Sequence, residues 1–487
     1  MLQCESPFSC LFLHTLFSLS CVLLFPSYWF IDRLLSCVVL TSRERSQGPA
    51  LRILSLVLGV PFFLLLFLLS LPLSVLGFVF WAPLHRARRP FCYQRHLQTH
   101  SPPEKILQGD CLFIFISANL CLLPDGLARF SNLSHTQHRT SLISKFLSLP
   151  AEPVQTSSED SLPICSTEDV LPILETPDKK EQVKHGEGDF PFDVSLVFPQ
   201  NADFLCLQEV FDGRASRKLR RCLAPSFPHI LYDVGPSGPH SGGFKFFNSG
   251  LFLASRHPLI NAKYYFYPNA RGEDALASKG LLCVKVHIGL TEQKQRIVGY
   301  INCTHLHAPE SDATIRCDQM SFLLQWVSDF QTQHREDGEL VAFDVLCGDL
   351  NFDNCSSDDC LEQKHKLFSI YKDPCRDRAG RDRPGAVGTL LRPESLYHEA
   401  VNTPASMKST LQSDAERKLY VAPPIPQDDD DTHWTGRRID YILYRDSDSV
   451  HPVAVDKFQF ITQLAGLSDH IPVSLHLSLS LSGNTSL

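Results

Sequence analysis

Apolar positions in this chain fall into two long blocks followed by many short runs. Residues 10–31 are almost wholly apolar, broken by His14, a few hydroxyl side chains and Pro26, and residues 53–82 contain no charged side chain. About 20 consecutive apolar residues cross the hydrocarbon layer, so either block is long enough for a membrane helix. The first residues carry no basic cluster and a second block follows closely, which fits a retained anchor better than a removed signal peptide. Arg43, Arg45 and Arg52 separate the blocks, and Arg86, Arg88 and Arg89 follow the second. Two full crossings would put one of these clusters on the wrong side under the positive-inside preference. A re-entrant hairpin is therefore expected ahead of two spanning helices, with Pro61 and Pro72 kinking the second block.

Beyond the blocks the apolar runs shorten to strand length. Residues 111–116 read as a buried strand that ends at Ser117-Ala118-Asn119. Residues 148–187 are rich in Pro, Ser, Thr and acids with no sustained apolar period, and read as a disordered linker. Runs at 205–210, 251–254, 282–287, 297–304, 340–347, 439–444 and 471–476 then alternate with polar stretches. Many strands with few long helices predict a sheet sandwich flanked by helices.

The 487 residues suffice for more than one structural unit and a sizeable core. A formal net charge of -8 without a long Lys/Arg run argues against a protein that holds nucleic acid through many phosphate contacts. The 17 cysteines form no CxxC pair, so neither a zinc site nor a small disulfide scaffold is indicated and reduced thiols are expected. Sequons occur at Asn132, Asn302, Asn354 and Asn484, of which Asn302 and Asn354 fall in or against core motifs and read as chance matches. The arginines beside the apolar blocks suit anionic head groups, at about 1 kcal/mol each, or merely stop insertion. Cys37 and Cys92 lie where acylated and idle thiols are both open readings. The acids within 427–431 read as a solvated loop rather than a calcium site.

Several apolar runs end in a polar residue that a core strand does not need. These are Asn119, Glu209, His305 and the pair Asp349 and Asn351 in Gly348-Asp349-Leu350-Asn351. Strand ends are where sheet proteins gather catalytic groups, although any one of them alone reads equally well as a turn cap. Ser468-Asp469-His470 adds a carboxylate beside an imidazole. Together these groups point to water activation beside a metal.

The ordered set Asn119, Leu207-Gln208-Glu209, Asn248-Ser249-Gly250-Leu251 with Ser255-Arg256, Thr304-His305, Gly348-Asp349-Leu350-Asn351, Arg438-Ile439-Asp440-Tyr441 and Ser468-Asp469-His470 resembles the exonuclease/endonuclease/phosphatase superfamily. The double apolar block, Ala118-Asn119-Leu120-Cys121-Leu122-Leu123-Pro124 and Glu273-Asp274-Ala275-Leu276-Ala277-Ser278-Lys279-Gly280 are similar to the vertebrate membrane-anchored neutral sphingomyelinases, nearest their mitochondria-associated type. The resemblance implies an α/β fold, a four-layer DNase-like β-sandwich flanked by helices, preceded by a hydrophobic membrane hairpin or two transmembrane helices. Residues 1–92 are then the membrane-anchoring region, 105–147 the first part of the catalytic domain, 148–190 the linker or insertion, and 191–487 the main catalytic domain.

The implied activity is that of a phospholipase C type phosphodiesterase, which hydrolyses sphingomyelin to ceramide and phosphocholine with Mg²⁺, Mn²⁺ substituting. Anionic phospholipids are the implied activators. The implied location is a mitochondrial membrane or the endoplasmic reticulum, with the catalytic domain on a reducing face; no Arg-rich transit pattern supports it independently. Glu209 is implied as the principal metal ligand, helped by the amide oxygen of Asn119, with Asp469 approaching through water. His470 is implied as general base, oriented by Asp440. Asp349 and Asn351 would position the water and contact the phosphoryl group, to which His305 donates. His307 competes with His305, because strand alternation puts both on one face. Asp274 and Lys279 are implied as a switch in which acid and lysine exchange partners and Lys279 meets the substrate. Without the resemblance they read as a surface ion pair of about 0 to 1 kcal/mol.

Three other readings compete. A DNA-repair nuclease of the same superfamily does not need the anchor. A phosphoinositide phosphatase would show a Trp-Cys-Asp-Arg element where this chain has Gly436-Arg437-Arg438-Ile439-Asp440. A non-catalytic membrane scaffold has no packing reason to keep the whole polar set.

Overall fold

The computed structural model describes residues 6–96, 105–148, 192–236, 238–240, 243–426, 436–446 and 452–481. The predicted linker beyond Ser148, the acids of 427–431 and the sequon at Asn484 lie outside these residues.

In chain order the strands are β1 (Cys92–Arg95), β2 (Asp110–Asn119), β3 (Phe192–Ser195), β4 (Phe204–Gln208), β5 (His229–Tyr232), β6 (Gly238–His240), β7 (Gly243–Lys245), β8 (Phe252–Ser255) and β9 (Leu259–Phe266). They continue as β10 (Gly280–Leu290), β11 (Arg296–His305), β12 (Leu340–Asp349), β13 (Arg376–Arg378), β14 (Arg381–Asp382), β15 (Asp440–Arg445), β16 (Val453–Ile461) and β17 (Val473–Ser480). One sheet has the order β1-β5-β8-β4-β2-β17-β16-β3, the other β15-β12-β11-β10-β9. The helices used below are α1 (Leu11–Val38), α2 (Ser42–Ser46), α3 (Pro49–Leu54), α4 (Val60–Leu84), α5 (Asp125–Ala128), α6 (Thr136–Leu147), α7 (Gly213–Leu223) and α8 (Ala313–His334).

Three apolar cores stack the elements into four layers. Between the sheets, Phe343 packs on Phe115 and Phe204 with ring centroids 4.9 and 5.5 Å away. Ile143 of α6 and Leu219 of α7 close the outer face of the first sheet over Ile116 and Leu205. Met320, Leu323 and Val327 of α8 close the second over Leu281 and Leu346. The order helix, sheet, sheet, helix is the predicted sandwich. Its central strands explain why the sequence runs were legible: β4 is buried at every position and β12 at all but one, so they read as unbroken apolar stretches. β1, β3 and β9 escape that reading because they are short or half-exposed edge strands.

The two N-terminal blocks form α1 and α4, packed as an antiparallel pair. A side chain at Gly77 would sit 2.9 Å from Leu23 Cβ and 3.0 Å from the Ser20 carbonyl. Ser27 Oγ lies 2.5 Å from Ser70 Oγ and 2.6 Å from Ser74 Oγ, so small and hydroxylated residues make the seam, as in membrane helix pairs. Spans of 28 and 33 residues are long and apolar enough to cross a bilayer. Pro61 follows directly on a π-helical turn, Ser55–Gly59, inside the continuous helical stretch from Arg52 to Leu84, and Pro72 lies further along the same helix.

The pair lies along the sandwich. Phe78 and Trp81 reach Phe244 at 5.8 and 6.0 Å, Arg214 covers the Phe25 ring at 5.5 Å, and Arg33 meets Asp125 at 3.2 Å. Past the end of α1, Arg129 pairs with Glu44 and bonds the Val39 carbonyl at 3.1 Å. One other expectation changes here. Arg88 is not free for lipid, since its guanidinium is tied to Asp233 and the Gly235 carbonyl. The Asn132 side chain is buried, accepting from Ser42 N–H at 2.6 Å, while Arg43, Arg45, Arg52 and Arg86 are exposed.

Candidate active site

Strand register assembles the site at one edge of the sandwich. β2 and β4 run parallel with Asn119 opposite Gln208, which sets Glu209 beside Asn119. In the second sheet His305, Asp349 and Asp440 stand abreast across β11, β12 and β15. His470 lies three residues before β17, the neighbour of β2.

The side chains converge. The Asn119 amide donates to Glu209 Oε1 and to Asp349 Oδ2, both at 3.0 Å. Asp349 Oδ2 lies 3.5 Å from His305 Nε2 and 3.9 Å from His470 Nε2, and Asp440 Oδ2 lies 2.9 Å from His470 Nδ1. One ligand atom from each of Glu209, His305 and Asp349 falls within 4.8 Å of the others, as does one from each of Asp349, Asp440 and His470.

Burial raises the Glu209 carboxyl to about 7, helped by nearby Asp469, and raises Asp349 to about 6 against the pull of His470. Burial alone would depress His470, but the Asp440 carboxylate lifts it well above the ordinary range. Burial, then the Lys279 charge, pushes His305 well below it, so His305 is a neutral donor. Asp469 Oδ1, Asp440 Oδ1 and His305 Nδ1 are buried without a hydrogen-bond partner.

Local backbone explains the aim of these groups. Glu209 has φ 58, a left-handed conformation unusual for a side chain of its size, and it turns the chain sharply off β4. Gly250 makes room for that turn: at φ +72, a Cβ there would stand 3.1 Å from Glu209 Cα and 2.8 Å from the Phe211 ring. Asn351 has φ 55, its N–H bonding Asp349 Oδ1 and its amide bonding the Leu306 carbonyl, each at 3.0 Å.

Three sequence expectations are revised. The Asn119 oxygen does not face the carboxylates: it accepts from Cys121 N–H at 3.1 Å and leaves the nitrogen inward, so a ligand role requires the amide to rotate. His305 and His307 do not share a face, because β11 ends at His305; His307 instead reaches Asp274 at 3.2 Å and Asp312 at 2.8 Å. Asp274 and Lys279 are not on the surface. Both are buried, 2.9 Å apart, with Lys279 also donating to the Leu306 carbonyl at 3.0 Å.

Sequence reasoning gave no role to Thr389, Ser468 or Arg139. Thr389 Oγ1 accepts from the N–H groups of Ile439 and Asp440 at 3.0 and 3.1 Å, and Ser468 Oγ donates to the Asn119 carbonyl at 2.8 Å. Arg139 on α6 holds the carbonyls of Leu120, Cys121 and Leu467. Only the Ser468-Asp469-His470 motif carried a sequence signal for any of them.

Residues 194–470 match the profile of the Endonuclease/Exonuclease/phosphatase family, and residues 12–87 match the Neutral sphingomyelinase N-terminal transmembrane region. The chain is 45% identical over 537 aligned positions to Sphingomyelin phosphodiesterase 5 of Danio rerio, covering 98% of each chain. It is 42% identical to Sphingomyelin phosphodiesterase 5 of Mus musculus over 97% of this chain and 94% of that one. It is 35% identical to Sphingomyelin phosphodiesterase 3 of Homo sapiens over 99% of both. The chain belongs to the neutral sphingomyelinase family, and its N-terminal region is membrane-associated.

Proposed function

We propose that this chain is a Mg²⁺-dependent phospholipase C type phosphodiesterase that cleaves sphingomyelin to ceramide and phosphocholine at a membrane surface. The observation that carries the reading is the junction at one sandwich edge of Asn119 and Glu209 with His305, Asp349, Asp440 and His470, on a chain with two N-terminal helices long and apolar enough to enter a bilayer.

The residues fit a hard divalent cation. Their donors are carboxylate and amide oxygens, burial and the nearby Asp469 carboxylate raise the Glu209 carboxyl to about 7, and Asp469 Oδ1 is buried without a hydrogen-bond partner. Glu209 would hold the ion, with Asn119 after its amide rotates and Asp469 through water; Mn²⁺ has the same oxygen preference. Bound there, the ion supplies positive charge for the phosphoryl oxygens and offsets the acids that keep His470 protonated.

The remaining work belongs to the chain. His470 accepts a proton from the attacking water at Nε2 while Asp440 fixes the tautomer through Nδ1. Asp349 and Asn351, locked by their shared turn, orient the water and the phosphoryl group. His305 donates as a neutral imidazole to the developing charge. Lys279, held by Asp274, is the cation that reaches the substrate when the pair exchanges partners.

The anchor is read as a shallow re-entrant hairpin. The stretch from Phe17 to Val39 is roughly 33 Å of helix, about the hydrocarbon thickness, yet the sandwich touches α1 in its middle and at its far end. Arg43, Arg45, Arg52 and Arg86 face outward for the anionic lipids read as activators. Residence in a mitochondrial membrane or the endoplasmic reticulum, with the sandwich on a reducing face, accords with the free described cysteines.

The test is phosphocholine release from a lipid panel by the full chain and by His470→Ala, with and without Mg²⁺. Release from sphingomyelin by the unsubstituted chain with Mg²⁺ alone is the expected result. Equal activity of the two proteins overturns the mechanism.

A further inference from the structure

Two residues of α1 reach past the lipid-facing surface of the hairpin. Asp32 is buried in a largely apolar helix, and its Oδ1 accepts the Gly126 N–H of α5 at 2.7 Å. Arg33 beside it bridges Asp32 at 2.7 Å and Asp125 Oδ2 at 3.2 Å. The helices touch so closely that a Cβ on Gly126 would lie 2.7 Å from both the Asp32 carbonyl and Leu35 Cβ. A buried carboxylate so tightly partnered is costly to strip of its partners, so this contact is specific rather than greasy.

The contact continues inward. Asp125 Oδ1 accepts the Thr136 N–H at 3.1 Å, which satisfies a free donor in the first turn of α6. One turn on, the buried Arg139 donates to the carbonyls of Leu120 at 3.2 Å, Cys121 at 2.7 Å and Leu467 at 2.7 Å. The first two follow Asn119, and the third precedes Ser468-Asp469-His470. A planar guanidinium with several donors at fixed angles sets the spacing of the carbonyls it joins, which an ammonium does not.

We propose that Arg139 is a positioning residue that fixes the Asn119 loop against the His470 loop, and that α1 holds it in place through Asp32, Arg33 and Asp125. The hairpin is then part of the support of the active site as well as its tether. This rests on the roles given above to Asn119 and His470. Gly126 is the sharpest handle: its φ is compatible with any residue, so alanine suits α5 locally and disturbs only the approach of α1.

The experiment is hydrogen exchange on the metal-free full chain, comparing Gly126→Ala, Arg33→Gln and Arg139→Lys with the unsubstituted protein. Each variant is expected to exchange the amides of Leu120, Leu122 and His470 roughly tenfold faster while β10 stays protected. Each is also expected to weaken Mg²⁺ binding by titration calorimetry, and Gly126→Ala combined with Arg139→Lys to add nothing beyond Arg139→Lys alone. Unchanged exchange at those three amides in Gly126→Ala and Arg33→Gln overturns the proposal, even if Arg139→Lys fails to fold. His470→Ala in the same series separates the two readings: full turnover by that variant sinks the assigned chemistry and leaves the exchange result to decide the clamp.

Discussion

Lys279 Nζ sits 2.9 Å from the Asp274 carboxylate, both groups buried, and the same carboxylate accepts the Ala308 N–H at 2.6 Å. Burial alone would raise Asp274, but Lys279 and then His307 hold it well below the usual carboxylate range. Removing one partner of such a pair strands a buried charge. Lys279→Met is expected to cost about 3 kcal/mol, and Asp274→Asn with Lys279→Met to regain most of that. If Lys279 meets the substrate, the double variant recovers its urea midpoint but not its phosphocholine release; recovery of both assigns the pair a purely structural part.

Glu209 and its neighbour Gly250 test the site from two sides. Glu209→Gln is expected to lower kcat at least a thousandfold and to abolish Mg²⁺ binding by calorimetry with an unchanged melting temperature, since it removes the ligand charge and keeps the shape. Gly250→Ala forces a left-handed backbone on alanine and crowds Glu209 Cα, at about 1 to 3 kcal/mol. Its activity should fall further than that loss of stability accounts for.

His305 and His307 should separate kinetically. His305→Ala is expected to lower kcat by roughly 10² to 10³ with little change in stability, because its ring faces Asp349 and the reacting edge. His307→Ala instead removes one partner from Asp274 and from Asp312. Its main effect should fall on the melting temperature and on activation by anionic vesicles.

Acid stability should carry the mark of His229. Burial first, then Arg95, lowers its imidazole to about 4, and its Nδ1 lies 2.7 Å from Tyr93 Oη. The unfolded chain takes up that proton near pH 6.5, so His229 contributes stability in full above this value and loses it as pH falls toward 4. His229→Gln should flatten the urea midpoint across that window; an unchanged slope removes His229 as a cause.

What was legible in the chain was what the strands bury and where they stop. Glu209, His305 and Asp349 end apolar runs, and a carboxylate or imidazole there has no packing purpose. The left-handed turn at Glu209 has no such mark, because its cause, the space at Gly250, lies 41 positions away. Arg139 stands in a mixed polar helix like any solvated arginine, and only the tertiary structure directs it at three carbonyls. The burial of Asp274 and Lys279 was equally hidden, since it depends on the loop after β11 folding over them.

Asn119 and Glu209 come from one sheet, whereas His305, Asp349 and Asp440 come from the other, and Phe115, Phe204 and Phe343 form part of what keeps the sheets in step. Catalysis is thus a gauge of how the two sheets register. On heating, a slip between them extinguishes turnover while each sheet keeps its own hydrogen-bonded ladder, so inactivation should run ahead of the loss of far-ultraviolet dichroism. A leucine at Phe343 should widen that gap.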